Sequence, residues 1–350
     1  MPVSQHIGWL SDIGLHDRAE VGGKGGSLGE LHRAGVRVPP GFVVKTAVFE
    51  RIIQALEAEA PVRAQVESLR PDDLTAITAC SRALRTRIER TTLPSDVSLE
   101  ISDAHAALSG GTAAPAVAVR SSATTEDASD ASFAGLHDTY LWVKGVGQSL
   151  SMVRSCWASL YSVASISYRR QRGLSEQGVA LAVVVQAMVD ARASGVMFTL
   201  SPTTGDRSVI AIEAAWGLGS ALVGGEVTPD RWVIGKITGE ISLRQISDKA
   251  IQHVPTAAGG TETTEVTGEL RHAACLSDPQ LQALRTIARA VERHYGRAQD
   301  IEWALDRHSG DMFVLQSRPE TVWSARQAAP AARATDNPLS QVMSIFGGRR

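Results

Sequence analysis

Two hydrophobic periods alternate along this chain, and the places where one gives way to the other mark its elements. Leu28 and Leu31 sit three apart on one helical face behind a glycine cluster, and Gly35 is placed to end that short helix. Residues 36–44 (VRVPPGFVV) follow as a strand interrupted by Pro39 and Pro40. Residues 46–110 read as mostly helical, with Pro71-Asp72-Asp73 opening one helix and Gly110–Gly111 closing the stretch. Residues 115–120 (PAVAVR) alternate as a strand, 121–135 form a polar loop of small residues, and 139–145 (TYLWVKG) make another strand. From Gln148 to Arg172, Leu150, Val153, Trp157, Leu160, Tyr161 and Ala164 recur at helical spacing, which predicts one long helix ended by Gly173.

Beyond that point the pattern turns to strands. Segments 178–189 (GVALAVVVQAMV), 195–202 (GVMFTLSP) and 208–217 (SVIAIEAAWG) lead to a hairpin turning at Thr238-Gly239. A last helix over about 277–295 precedes the strand pair 300–305 (DIEWAL) and 311–318 (DMFVLQSR). The expected class is therefore mixed α/β, without internal repeats. A soft boundary near 175–195 divides residues 1–190, a subdomain with a helical insert, from residues 191–324, a strand-rich subdomain. Residues 325–350, rich in alanine, proline and small polar residues, read as a flexible tail. Within it, Leu339, Val342, Met343, Ile345 and Phe346 form a short apolar stretch that is either a docking segment for a partner or a frayed end.

Composition narrows the function. At 350 residues the chain has room for two or three domains, and 43% hydrophobic with 21% charged residues is a globular balance. A formal net charge of -2 gives no electrostatic reason to expect nucleic acid or an anionic membrane as partner. No window approaches the roughly 20 apolar residues of a membrane span, and the first residues lack a basic region followed by an apolar one. Cys80, Cys156 and Cys275 are far apart and odd in number, which points to a reducing, cytoplasmic setting rather than a disulfide framework or zinc site.

Four clusters carry candidate chemistry. Residues 22–29 (GGKGGSLG) match neither a Walker A loop nor a dinucleotide fingerprint, yet they supply a lysine, close-approach glycines and a helix start. The reading is a phosphate cradle, or else a flexible turn carrying a surface lysine, Lys24. Arg120 ends an apolar strand and opens a run of small hydroxyl residues, which suits oxyanion binding; an ordinary capped Ser/Thr loop is the alternative. Pairing Glu302 opposite Gln316 gives a five-residue loop, Arg307 to Asp311, and sets Glu302, Ala304, Val314, Gln316 and Arg318 on one face. There an acid and an amide could hold magnesium and an arginine a phosphate, or Glu302 and Arg318 could pair internally. Finally, Gln186, Met188 and Val189 end an apolar run and either hold an adenine or pack the core.

Taken in order, residues 21–44, 118–141, 183–202, 213–232 and 300–321 resemble the N-terminal nucleotide-binding domain of phosphoenolpyruvate synthase, pyruvate phosphate dikinase and rifampin phosphotransferase. The resemblance runs from about residue 9 to 323. It implies an ATP-grasp fold that holds ATP and magnesium (Mg2+) between two subdomains. Carried over by motif, it implies that Lys24, Arg120 and Arg318 bind the phosphates and take the catalytic part. Glu302 and Gln316 would hold magnesium, Gln186, Met188 and Val189 would line the adenine pocket, and Glu213 would reach the sugar. Many relatives have glutamate where this chain has Ser220. Relatives pass phosphate to a histidine with a threonine two residues before it and glycines upstream. None of the nine histidines here has that setting. The resemblance thus implies a partner subunit carrying the phosphohistidine and the acceptor site, with a small-molecule acceptor. Free-standing versions resemble the subunit of phenylphosphate synthase and of hydroxyphenyl-ketone kinases, which implies a phenolic hydroxyl as acceptor. A split phosphoenolpyruvate synthase and a non-catalytic ATP sensor are the other readings.

Overall fold

A computed structural model describes residues 4–108, 115–124, 138–321 and 323. The end of the 46–110 helical stretch, most of the Ser/Thr loop and all of the 325–350 tail, with its apolar stretch, lie outside these residues. Residues Met1–Pro319 form one compact unit, and Glu320–Arg350 separate from it.

The first sheet holds β1 (Ile7–Trp9), β2 (Gly41–Val44), β3 (Val117–Ala123), β4 (Thr139–Val143) and β5 (Leu181–Ala187), in the order β1-β2-β5-β3-β4. Its central strand β5 shows a period of two in its burial partners. Val183 and Val185 face one core, and Ala182 and Val184 face the other. The first core is roofed by α2 (Thr46–Glu59), α4 (Leu74–Arg90), α5 (Ser95–Ala107), α6 (Gly145–Ser159) and α7 (Val163–Gln171), with a short α3 (Arg63–Glu67) between α2 and α4. On the opposite face lies α1 (Arg18–Arg33), which sends Leu28 and Leu31 into the second core.

The second sheet runs β13-β12-β6-β7-β8-β9, built from β6 (Ala191–Phe198), β7 (Val209–Trp216), β8 (Asp230–Gly235), β9 (Ile241–Gln245), β12 (Gln299–Asp306) and β13 (Met312–Pro319). Between these strands come a one-turn α8 (Ser220–Val223), a hairpin of β10 (Ile251–Pro255) and β11 (Thr261–Glu265), and α9 (Asp278–Tyr295). The ends of α9 are written in its sequence. Ser277 and Gln280 form a capping box, Pro279 sits in the first turn, and Gly296 takes the left-handed conformation that stops the helix. Its stripe of Leu281, Leu284, Ala288 and Val291 joins Ile301, Trp303 and Leu305 of β12 in the core. The alternate residues, Glu302 and Ala304, take the other face of the sheet.

Two expectations are corrected here. The pattern of Gln148–Arg172 is two helices, because Ser162 leaves the helical conformation and its hydroxyl accepts from the Ser165 amide. Leu160 and Tyr161 stay buried through the break, so the periodicity hides it. The span Arg18–Arg33 breaks at Gly22 (φ 72, ψ 178), and Gly23 to Gly29 lie inside the helix that starts after this break rather than in a turn ahead of it.

Candidate functional site

The two sheets meet at Arg120. This residue lies in β3, is 9% exposed, and reaches across to the β12–β13 hairpin. Its Nη1 donates to the Leu315 carbonyl at 2.8 Å, and its Nη2 donates to Gln316 Oε1 at 2.6 Å. The same Nη2 lies 3.4 Å from Glu302 Oε2. Glu302 and Gln316 are direct partners in the ladder, as the sequence predicts. The register then shifts between Glu302 and Trp303, so that Trp303 faces Val314 and Ala304 faces Phe313. Leu315 is the extra residue of this bulge, and its carbonyl accepts from Arg120. Val314 is therefore corrected: it turns into the core with Trp303, and Phe313 and Leu315 take the face where it was expected.

That face of the second sheet is ordered in rows. Gln316, Glu302, Val196, Glu213 and Arg231 pair in register across five strands, so their side chains share a face. The next row holds Arg318 and Asp300. Three carboxylates on this face pair with arginines: Glu302 with Arg120, Asp300 with Arg318 at 3.3 Å, and Glu213 with Arg231 at 2.9 Å. The internal Glu302–Arg318 pair considered from sequence is thus not formed. The opposite end of the face is apolar. Val189, Ala191, Leu218 and Ala304 cluster there, with Met188, Phe313 and Leu315 packed against them. Gln186 is buried at the end of β5, and its Nε2 donates to the Pro39 carbonyl at 3.1 Å.

Lys24 enters from the first turn after the α1 kink. Gly22 is needed there twice over, for its positive φ and because a Cβ would lie 2.1 Å from the Ser122 carbonyl oxygen. Ser122 Oγ donates to the Val21 carbonyl and accepts from the Gly25 amide at 3.1 Å, which fastens this helix start to β3 two residues from Arg120. The half-buried Lys24 charge is felt at Cys156, on the far side of β3. Burial, then Asp138, push that thiol's pKa up, and Lys24 opposes them.

The family described as pyruvate phosphate dikinase, AMP/ATP-binding domain, matches residues 18–338. The chain belongs to this family. The fold is accordingly the mixed α/β ATP-grasp fold that the motifs imply. The chain is 40% identical over 319 residues to a probable phosphoenolpyruvate synthase of Methanothermobacter thermautotrophicus, covering 91% of this chain and 46% of that protein. It is 38% identical to the probable phosphoenolpyruvate synthase of Methanocaldococcus jannaschii, covering 94% and 28%. With the rifampicin phosphotransferase of Streptomyces sviceus it shares 41% identity, covering 89% and 35%. The chain thus spans less than half the length of these relatives.

Within this family frame, the structure brings together Arg120, Glu302 and Gln316, sets Arg318 one row away, and collects Met188 and Val189 in the apolar cluster. Glu213 lies two strands from Glu302, roughly 10 Å at normal strand spacing. Sequence reasoning missed Asp300, although the two-residue spacing from Glu302 already placed it on the same face. It also missed Arg231, Leu218 and Phe313, which no local motif marks. Ser220, where relatives often carry glutamate, hydrogen-bonds His253 Nδ1 at 2.8 Å. The main chain of His253 also accepts from the Leu218 amide at 2.9 Å, tying the β10–β11 hairpin to the apolar cluster. At its tip the Gly260 amide donates to the Trp142 carbonyl on the first sheet. Among the described residues no group of three or more His, Cys, Asp or Glu is placed to hold a metal, and no helix is long and apolar enough to cross a membrane.

Proposed function

We propose that this chain is the ATP-binding subunit of a multi-component, dikinase-type phosphotransferase. It passes phosphate from ATP through a phosphohistidine on a partner subunit to a small acceptor. The observation that carries the reading is the convergence of the Arg120 guanidinium with the Glu302 and Gln316 oxygens between two sheets, on the same face as an apolar cluster. Charge and apolar surface side by side suit a nucleotide, whose base and phosphates need opposite surroundings. Glu302 and Gln316 also fit magnesium, because both are hard oxygen donors and both already converge on one cationic nitrogen. When bound, the ion would neutralise phosphate charge.

The chain's own residues would do the rest. Met188, Val189 and Leu218 hold the base, and Gln186 braces the pocket wall through Pro39. Glu213 meets the sugar. Lys24 and the adjacent helix start, with Arg120 and Arg318, hold the phosphates in line for the partner's histidine and stabilise charge that develops during transfer. With one water consumed, the products are AMP, phosphate and the phosphorylated acceptor.

For the acceptor we assign a phenolic hydroxyl, on the resemblance to the phenylphosphate synthase subunit. Pyruvate is the second reading, favoured by the phosphoenolpyruvate synthases among the relatives. The test is chromatography of nucleotide products after incubation with ATP and magnesium, alone and with a candidate phosphohistidine subunit plus phenol or pyruvate. AMP and phosphorylated phenol only in the full mixture support the assignment. AMP with pyruvate alone changes the acceptor, and ATP that binds but is never consumed overturns the phosphotransferase reading.

A further inference from the structure

On the proposed nucleotide face, the Glu213–Arg231 pair, like the Asp300–Arg318 pair, lies open where the Arg120 pair does not. The Arg120 side chain is 10% exposed and joins two sheets, whereas the Arg231 side chain is 53% exposed and, among the described residues, makes one ion pair, to a carboxylate on the neighbouring strand. The two residues are direct partners in the β7–β8 register, so the pair costs the backbone nothing to form. Arg231 Nε takes Glu213 Oε1 at 2.9 Å, and a carboxylate held at one oxygen is turned with its second oxygen fixed in direction. The row Glu213–Val196–Glu302 puts that carboxylate on the same face as the Arg120 cluster, two strands away.

We propose that Arg231 is a positioning residue for ribose recognition: it orients Glu213 so that the free carboxylate oxygen accepts from a sugar hydroxyl of the bound nucleotide. The inference rests on the ATP-binding reading above and adds to it a means of separating ribonucleotides from deoxyribonucleotides. Glu213 touches the ligand, and Arg231 acts through Glu213. Removing the arginine leaves the carboxylate on the sheet but free to rotate, so binding of the sugar hydroxyl weakens while binding of the phosphates does not. A hydrogen bond to a charged acceptor, lost on one nucleotide and not the other, corresponds to about a tenfold difference in affinity.

Calorimetric titration of the purified full chain with Mg·ATP, Mg·2′-deoxy-ATP and Mg·3′-deoxy-ATP tests this, using wild type, Arg231→Gln, Arg231→Lys and Glu213→Gln. Wild type should prefer ATP over at least one deoxynucleotide by about tenfold. Arg231→Gln should lose most of that preference by weakening ATP, with the deoxynucleotide affinity held within about twofold. Glu213→Gln should lose it as well, and Arg231→Lys should restore part of it. Thermal unfolding of each variant without nucleotide reports whether the fold is intact. A variant that weakens all three nucleotides equally shows a merely structural role and overturns the proposal. Wild type that binds ATP without preference, or Arg231→Gln that keeps the preference, overturns it and leaves the ATP reading standing. Wild type that binds none of the nucleotides overturns both.

Discussion

Replacing Arg120 by alanine probes two roles of one side chain, the contact between sheets that the structure shows and the phosphate contact proposed above. Arg120 makes two hydrogen bonds, at 2.8 and 2.6 Å, and an ion pair at 3.4 Å, all to the other sheet. Hydrogen bonds involving a charged group contribute about 1.5–3 kcal/mol each. Against that stands the desolvation of a nearly buried guanidinium, recovered on truncation. Glu302 is about a third exposed, so water screens its share of the pair. A net loss of about 2 kcal/mol follows, which for a unit of this size lowers Tm by roughly 4 °C. The nucleotide role is larger. Loss of one phosphate cation costs about a hundredfold in affinity or rate. At a Mg·ATP concentration of about 100 times the wild-type Kd, ligand stabilises the wild type by about 2.7 kcal/mol and the variant by about 0.4 kcal/mol. Thermal unfolding with and without Mg·ATP reads both numbers in one experiment. An Arg120→Ala chain with a normal nucleotide-induced shift refutes the phosphate role, and an unchanged Tm without nucleotide refutes the clamp between sheets. Arg120→Lys, which keeps the charge and loses the fork, should fall between the two.

Gly22→Ala should cost more than about 3 kcal/mol, because the added carbon meets the Ser122 carbonyl at 2.1 Å at a positive φ. Gly35→Ala, with a similar φ but nothing within 4 Å, should cost only about 1 kcal/mol by denaturant unfolding. Lys249 and Asp230 are fully buried and paired at 2.6 Å, so Lys249→Met alone should destabilise by about 3–5 kcal/mol, and adding Asp230→Leu should recover part of it. The pKa of Glu30 lies below its ordinary 4.5: burial pushes it up, but hydrogen bonds from His294 and the Leu15 amide and the charges of His294 and Arg33 outweigh that. The carboxylate therefore stabilises the fold above its unfolded pKa and ceases to as pH falls through the lower folded value. In thermal unfolding from pH 6 to 3, wild type should exceed Glu30→Gln at the upper end, and the gap should close toward the lower.

How much of this was legible in sequence depended on how local the cause was. The Glu302–Gln316 pairing followed from alternation and a short loop, and α9 from its caps and stripe. The bulge at Leu315 did not, since counting outward from one pair assumes equal strands. The same bulge leaves the Leu315 carbonyl facing Arg120, so the error fell on a part of the site. The glycines of α1 suggested a loop because glycine favours one. Only Gly22 departs from helical dihedrals, where it passes the Ser122 carbonyl at a distance that no side chain allows; Gly26 and Gly29 lie in the helix because neighbouring backbone at Gly14 and Ile13 approaches them closely. Arg120 meets Gln316 across 196 residues of chain, and no local pattern carries such a contact. The arginine was recognisable only as the charge that closes an apolar run; it sits in the middle of β3 rather than at its end, because the strand continues through Ser121 and Ser122 to Ala123.

The three carboxylate–arginine pairs balance charge on this face, so a nucleotide bound as proposed would exchange partners rather than meet bare charge. In the proposed function, phosphates would compete with Glu302 for Arg120, and a metal ion would compete with Arg120 for Glu302. The two exchanges help each other only when both ligands arrive together. Glu302→Gln separates them. The variant leaves Arg120 without its anionic partner, so ATP in the presence of EDTA should bind about two- to fivefold more tightly than to wild type, the worth of a partly exposed ion pair. With magnesium the order should reverse, because the variant has lost the charged ligand that the ion requires. Titration of both chains with ATP, with and without magnesium, shows the crossing. If Glu302→Gln weakens ATP equally under the two conditions, Glu302 neither holds metal nor restrains Arg120, and the exchange argument fails.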